Sequence, residues 1–342
     1  MAMQPAAIDE KVLGDYLQAQ IKNFKGPVSL KKFSVGQSNP TYLVSAASGH
    51  YVLRRKPMGQ LLKSAHAVDR EFRVISALQN TAVPVPKPYH LCEDDRVIGS
   101  MFYLMEYVPG RIFWEPALPE VTPSDRTAIY DQMNRVLVAL HSVDVEAAGL
   151  ADFGRPGSYY ERQLDRWVKQ YRASETETIE AMEQLITWLQ ENTPEDDARV
   201  SLVHGDFRLD NMIFHPREPR VLALLDWELS TLGHPYADLA YQCMQWRMPS
   251  DNPGLQGLGG LNRTSLGIPE EDEYVAQYCE RMGIGVIPNW PFYIAFCFFR
   301  MAAIVQGIKK RALEGTASSP QAKTMGEMAR PLAEWGVTAL SG

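Results

Sequence analysis

The feature that most constrains this chain is the run Leu202-Val-His204-Gly-Asp206-Phe-Arg-Leu-Asp-Asn211-Met-Ile-Phe214, followed closely by Val221-Leu-Ala-Leu-Leu225-Asp226-Trp-Glu228. Short apolar runs of this kind read as buried strands, and the polar residues between them as loops. A first strand delivers Asp206 into a polar loop, Asn211 follows against a second apolar run, and a third strand ends in Asp226. The fold must bring these short strands together, which allows a base and two metal ligands to converge. Asp is also a common turn and cap residue. A His-Gly-Asp-x4-Asn run followed by a strand-end Asp-Trp-Glu is nevertheless hard to obtain by chance.

Phosphoryl transfer needs that set. One carboxylate orients the attacking hydroxyl and takes its proton, while an Asn and an Asp hold the Mg²⁺ ions that neutralise the phosphates. The spacing from Asp206 to Asn211 matches the catalytic loop of protein kinases, and the strand-end Asp226 matches their metal-binding Asp. Composition leaves room for such an enzyme. With 342 residues, 45% hydrophobic and 22% charged, the chain can bury a substantial core in two domains or one large bilobal unit. A formal net charge of -7 offers no field to attract nucleic acid. Cys92, Cys243, Cys279 and Cys297 are far apart, with no Cys-x-x-Cys pair, so neither a zinc site nor a disulfide framework is expected. Met1 to Asp9 lacks the basic start and apolar core of a secretory leader. The most apolar stretch, Trp290 to Phe299, is shorter than the roughly 20 residues that cross a bilayer. A cytoplasmic chain with no membrane or nucleic-acid partner is the expectation, and its oligomeric state is left open.

Along the chain, Val12, Leu13, Tyr16, Leu17 and Ile21 recur at helical spacing, with Asp9 placed as N-cap. Strands are expected at 28–35, 41–46 and 50–54, a helix at about 66–79, and further strands at 89–92 and 101–107. Beyond Pro109-Gly110 long helical patterns dominate, at 124–141, 159–171, 178–189, 235–246, 271–282 and 290–313. The segment 249–262, rich in glycine and proline, is expected to be a mobile loop. The fold class is therefore α+β, with a β-rich lobe at 1–108 and a mainly helical lobe at 109–342.

The segments Val203 to Phe214 and Leu224 to Tyr241, including Gly233-His-Pro-Tyr-Ala-Asp238-Leu-Ala, closely resemble the aminoglycoside phosphotransferase family. That family shares its fold with protein kinases and includes choline, homoserine and fructosamine kinases; the resemblance runs from about Leu30 to Leu313. It implies a two-lobed protein-kinase-like fold, ATP and Mg²⁺ as cofactors, and a small-molecule hydroxyl as acceptor. It further implies Asp206 as catalytic base, Asn211 and Asp226 as Mg²⁺ ligands, His204 as a prop of the loop and Asp238 as the anchor of the helix behind it. Tyr51-Val-Leu-Arg-Arg-Lys-Pro57, Ser64-Ala-His-Ala-Val68 and the Arg162-Gln-x3-Trp167 segment look most like one branch, the kinase-like domain joined to acyl-CoA dehydrogenases and its bacterial relatives. That branch implies a hydroxylated acyl thioester or related hydroxy acid as acceptor.

On this resemblance, Ser38 and Asn39 stand where a loop covers the phosphates. Arg54 takes the place of the usual phosphate-binding lysine, with Glu71 as its carboxylate partner. A guanidinium keeps the electrostatic role but changes the geometry, and Arg55 or Lys56 could serve instead. Val52 alternates onto the face of Arg54 and suits the adenine. Met105, Glu106, Tyr107 and Val108 form the hinge whose backbone meets the adenine edge. Ile213 and Leu225 form an apolar floor, or simply strand core. Arg162, Arg166 and Lys169 share one helix face and would suit an anionic acceptor, or are solvated surface. An aminoglycoside or amino-alcohol kinase, a nucleotide-binding pseudokinase and a metal-dependent phosphoester hydrolase are the alternatives.

Overall fold

The computed structural model describes residues 8–33, 39–57, 67–155, 157–252, 255–317 and 321–341. Helix α1 (Glu10–Gln20) starts where the Asp9 carboxylate accepts from the backbone of Lys11 and Val12, as an N-cap should. Strands β1 (Val28–Lys32), β2 (Thr41–Ala46) and β3 (Gly49–Arg55), helix α2 (Val68–Ala77), and strands β4 (Pro88–Cys92) and β5 (Phe102–Glu106) follow. Next come α3 (Pro123–His141), α4 (Tyr159–Ser174), α5 (Glu180–Glu191), β6 (Ser201–Val203), β7 (Met212–Phe214), β8 (Val221–Leu224) and β9 (Thr231–Gly233). The chain closes with α6 (Tyr236–Arg247), α7 (Arg263–Leu266), α8 (Glu271–Met282), α9 (Trp290–Leu313), α10 (Ala322–Gly326) and α11 (Ala329–Thr338). It gathers into two units: Met1–Arg111, Ala148–Leu150 and Asn211–Ser230 form one; Ile112–Ala147, Ala151–Asp210 and Thr231–Gly342 form the other.

The first unit is built on an antiparallel sheet of order β1-β2-β3-β5-β4. Period-two alternation divides β3 between two environments. Leu53 and Tyr51 join Leu13 and Leu17 of α1, Val44, Phe102 and Leu104 in one apolar cluster. Each buried leucine there contributes about 1.5–3 kcal/mol relative to exposure. Val52 and Arg54 alternate to the opposite face, across from Met105 and Tyr103 in the β3–β5 register, and α2 sets Phe72 against Tyr103. The β7–β8 hairpin belongs to this unit. It is tied on by reciprocal backbone bonds between Arg111 and Phe214, both 2.8 Å, and by the Leu224 N–H to the Pro84 carbonyl, also 2.8 Å.

The second unit packs around α9. This helix is long and apolar enough by composition to cross a membrane, yet it is mostly buried, covered by α4, α5, α6, α10 and α11. The apolar stretch expected to be too short for a bilayer is thus part of a longer helix, which lies mostly in the core of this unit. The segment expected to be a mobile loop is instead tied to the end of α6, Pro253 and Gly254 lying outside the described residues. Leu258 and Gly259 donate to the Gln245 and Met248 carbonyls, each at 2.8 Å. Gly257 allows this approach, since a Cβ there would lie 2.2 Å from the Met248 carbonyl oxygen. The glycines that suggested mobility serve close packing against a helix terminus whose carbonyls need donors. The four cysteines are free and buried.

Gly110 permits the Arg111–Phe214 pairing in the same way: a Cβ there would lie 2.3 Å from the Phe214 carbonyl oxygen and 2.4 Å from Ile213 Cγ2. Gly110→Ala is expected to destabilise the protein by about 2–3 kcal/mol, visible in denaturant unfolding. A change within 0.5 kcal/mol would mean that the hairpin is not held by this contact.

Candidate active site

In the first unit, hairpin pairing places Met212 opposite Leu224, and the Leu225 N–H donates to the Asn211 carbonyl at 2.8 Å. Asn211 and Asp226 therefore stand at the same end of one hairpin. Asp226 has φ 64° and ψ 60°, a left-handed conformation that Asp tolerates better than most residues and that is concentrated at functional sites.

Arg54 is the centre of charge here. Its Nε lies 2.8 Å from Glu71 Oε2, and its Nη2 lies 2.6 Å from Asp226 Oδ1 and 3.6 Å from Glu228 Oε2. The expected Arg54–Glu71 pair is thus present. Glu71 is buried and also accepts from Tyr103 Oη at 3.0 Å and Asn39 Nδ2 at 2.7 Å. One guanidinium faces three carboxylates. Burial pushes the Glu71 carboxyl up to about 7 against the opposing pull of Arg54. The surrounding carboxylates keep Arg54 charged despite its own burial.

The other nucleotide candidates are placed as follows. Asn39 is fully buried, and its side-chain amide donates to Glu71 Oε1 at 2.7 Å. Ser38 lies outside the described residues. Val52 and Met105 face each other across the strand pair. The Glu106 N–H is spent on the Lys87 carbonyl at 2.8 Å, and its carboxylate accepts from the Lys87 N–H. Tyr107 is exposed, with its ring edge on His50. Val108, Ile213 and Leu225 are half-buried.

In the second unit, β6 pairs with β9 and runs into His204-Gly205-Asp206. Gly205 has φ +84°, a turn that glycine makes without strain. Asp238, fully buried in the first turn of α6, accepts the His204 N–H at 2.6 Å and the Gly205 N–H at 2.8 Å. Its Oδ2 also lies 3.4 Å from His141 Nε2, while His141 Nδ1 is 2.8 Å from Tyr278 Oη. Burial alone would raise the Asp238 carboxyl; His141, His204 and their hydrogen bonds outweigh it and hold it below the usual range. His204 Nδ1 accepts the Asp206 N–H at 3.2 Å.

Asp206 itself is part-exposed. Tyr241 donates to its Oδ1 at 2.8 Å, and Arg208 Nε approaches the same atom at 3.5 Å. Arg208 also donates to Asp210 at 2.5 Å, and Arg300 donates to the Gly205 carbonyl at 2.8 Å. Tyr241, Arg208, Trp114, Gln245 and three methionines line a cavity of about 250 Å³ beside this loop. A cavity of about 430 Å³ in the same unit is lined by Tyr159, Tyr293, His234, Glu161, Glu195 and Asp196, among others. Arg162, Arg166 and Lys169 line neither. Arg162 donates to the Arg155 carbonyl, Lys169 pairs with Asp165, and Arg166 lies over the Trp167 ring.

Sequence reasoning missed Glu228, Tyr103, Tyr241, Arg208 and Arg300. Of these, Glu228 stood in the Asp-Trp-Glu run without a role of its own, and Tyr241 lies three residues beyond Asp238 and hence on the same helix face.

Comparison with known proteins follows this geometry. The model of the phosphotransferase enzyme family matches residues 29–282. The chain is 53% identical over 329 residues to acyl-CoA dehydrogenase family member 10 of Mus musculus, covering 96% of this chain and 31% of that protein. It thus spans about a third of that relative's length. A crystal structure from Ralstonia eutropha, provisionally designated an aminoglycoside phosphotransferase, matches with TM-score 0.90 and 49% identity, covering 98% of this chain and 99% of the other. A thermostable mutant of aminoglycoside phosphotransferase APH(4)-Ia, in ternary complex with ADP and hygromycin B, shares the fold at TM-score 0.63 and 14% identity, with 96% and 99% covered.

Removing the Asp238 carboxylate orphans two buried loop amides. Asp238→Ala is therefore expected to lose about 3 kcal/mol or more of stability. Because the folded carboxyl titrates below its unfolded value, the stability it provides is present above about pH 4 and lost as pH falls through the folded pKa. The gap between wild type and Asp238→Asn in denaturant titrations should close below pH 4. A gap independent of pH would refute the charge assignment.

Proposed function

This chain belongs to the phosphotransferase enzyme family and is a small-molecule kinase; we propose that its donor is Mg-ATP and its acceptor an anionic hydroxyacyl thioester or related hydroxy acid. The observation that carries the donor half is the clustering of Asp226, Glu71 and Glu228 around Arg54, with Asn211 at the same hairpin end as Asp226. Three carboxylates against one guanidinium leave an excess of negative charge that suits a divalent cation. Asn211 and Asp226 offer only oxygen donors, the type Mg²⁺ takes alongside waters and substrate phosphates. Among the described residues no three His, Cys, Asp or Glu side chains are arranged to hold a metal ion by themselves. When bound there, Mg²⁺ supplies charge neutralisation on the phosphates.

In this reading residues 1–108 bind the nucleotide, and 109–342 supply the catalytic loop and the acceptor site. Asp206 takes the acceptor proton as the hydroxyl oxygen bonds to the γ-phosphorus, and the bond to the ADP oxygen breaks. Arg54, held by Glu71, offers its remaining guanidinium donors to phosphate oxygens. Val52, Met105, Ile213 and Leu225 give the adenine an apolar seat, and the main chain of Tyr107 and Val108 its hydrogen bonds.

The acceptor half rests on two supports. The chain is 53% identical to a protein whose name places it with acyl-CoA dehydrogenases, enzymes of thioesters. Arg162, Arg166 and Lys169 share one face of α4 and suit an anion. A second reading, an aminoglycoside or amino alcohol, is favoured by the larger cavity, whose lining carries Glu161, Asp165, Glu195 and Asp196 and no Lys or Arg.

A panel of hydroxyacyl thioesters, hydroxy acids, aminoglycosides, choline and homoserine, assayed by ADP release from Mg-ATP, separates these readings. The expected outcome is turnover with the thioesters or hydroxy acids, lost about 100-fold or more in Asp206→Asn while Mg-ATP still binds. Turnover only with the cationic alcohols would transfer the assignment to the second reading. Asp226→Ala should abolish the Mg²⁺-dependent part of nucleotide affinity in titration calorimetry; an unchanged titration would remove Asp226 from the metal site.

A further inference from the structure

We infer that Tyr241 and Arg300 are positioning residues that fix the orientation of the Asp206 carboxylate, an inference that rests on the reading of Asp206 as the base. An aspartate carboxylate has a broad, two-fold χ2, so its oxygens exchange unless a partner selects one. Tyr241 selects Oδ1, donating its phenolic proton at 2.8 Å. The tyrosine is itself buried, 6% exposed, and sits on α6 one turn beyond Asp238. One helix thereby sets both the path of the loop, through Asp238 and the His204 and Gly205 amides, and the rotation of the carboxylate that the loop presents.

Arg300 secures the tyrosine from the other side. Its guanidinium lies 5.5 Å from the centroid of the Tyr241 ring and 5.8 Å from that of Trp167. The same group donates to the Gly205 carbonyl at 2.8 Å. Residues from α4, α6 and α9 thus meet behind one loop residue. Neither side chain touches the acceptor in this scheme; both act through Asp206. Misplacement of a reacting group by about 1 Å can cost 100-fold in rate, the scale on which such positioning is felt.

Tyr241→Phe removes one hydroxyl and leaves the ring beneath Arg300 in place, and the part-exposed Asp206 can take water instead. ADP release from Mg-ATP, with water and with each alcohol of the panel as acceptor, is compared in wild type, Tyr241→Phe, Arg300→Lys, Arg300→Met and Asp206→Asn. Binding of a fluorescent ATP analogue and the melting temperature are followed alongside. The expected result is a fall in kcat of about 10–100-fold in Tyr241→Phe, with KM for ATP, analogue affinity and melting temperature close to wild type. Arg300→Lys should recover part of what Arg300→Met loses. If Asp206→Asn is impaired and Tyr241→Phe is not, or if KM rises and melting temperature falls along with the loss of kcat, the positioning inference is overturned and the base reading survives. If Asp206→Asn equals wild type, or wild type releases no ADP, the base reading fails and takes the inference with it.

Discussion

The second unit depends on the buried carboxylate of Asp238. A charge with no solvent contact is costly unless its surroundings satisfy it; here two main-chain amides of the loop and a histidine do so. The exchange works in both directions. The carboxylate gains donors, and a loop that would otherwise bury two orphan amides gains acceptors. The loop conformation and the seating of α6 are consequently one choice, and Gly205 takes the single left-handed step that the bond geometry requires.

In the first unit the corresponding centre is Arg54. Lysine is a point charge, whereas arginine has a planar fork able to hold several oxygens in fixed directions. That fork explains how one side chain engages Glu71 through Nε while Nη2 faces Asp226. Arginine at position 54 therefore assembles the cluster around two separate nitrogens of one side chain. Asn39 and Tyr103 both donate to Glu71.

How much was legible varies with how local the cause is. Asp206, Asn211 and Asp226 stood out because strand, loop and strand are adjacent in sequence, and the fold class followed from periodicity on either side of Pro109. The Arg54–Glu71 pair was readable only through the family resemblance, which sets a basic residue on β3 against a carboxylate on α2. Tyr241 escaped as a partner of Asp206, since an aromatic in an apolar helix looks like any core residue. Arg300 looked like the residue that ends an apolar run; its role depends on α4, α6 and α9 packing together, which no local pattern encodes. The segment after Pro249 misled for a different reason: glycine signals both freedom and close approach, and only the contact with Met248 decides between them. Strand β9, three residues long, is too short to show any period.

The β7–β8 hairpin belongs to the same unit as a sheet whose last strand ends at Glu106, although more than a hundred residues separate the two in the chain. During synthesis the sheet emerges long before its partner. The Arg111 main chain and the Pro84 carbonyl, which the hairpin will occupy, must wait in water while the helices from α3 to α5 are translated. A unit assembled from distant segments has high contact order and closes late. The first unit thus stays incomplete until about residue 230 has left the ribosome, the interval in which such a chain is most exposed to misassembly and to chaperones.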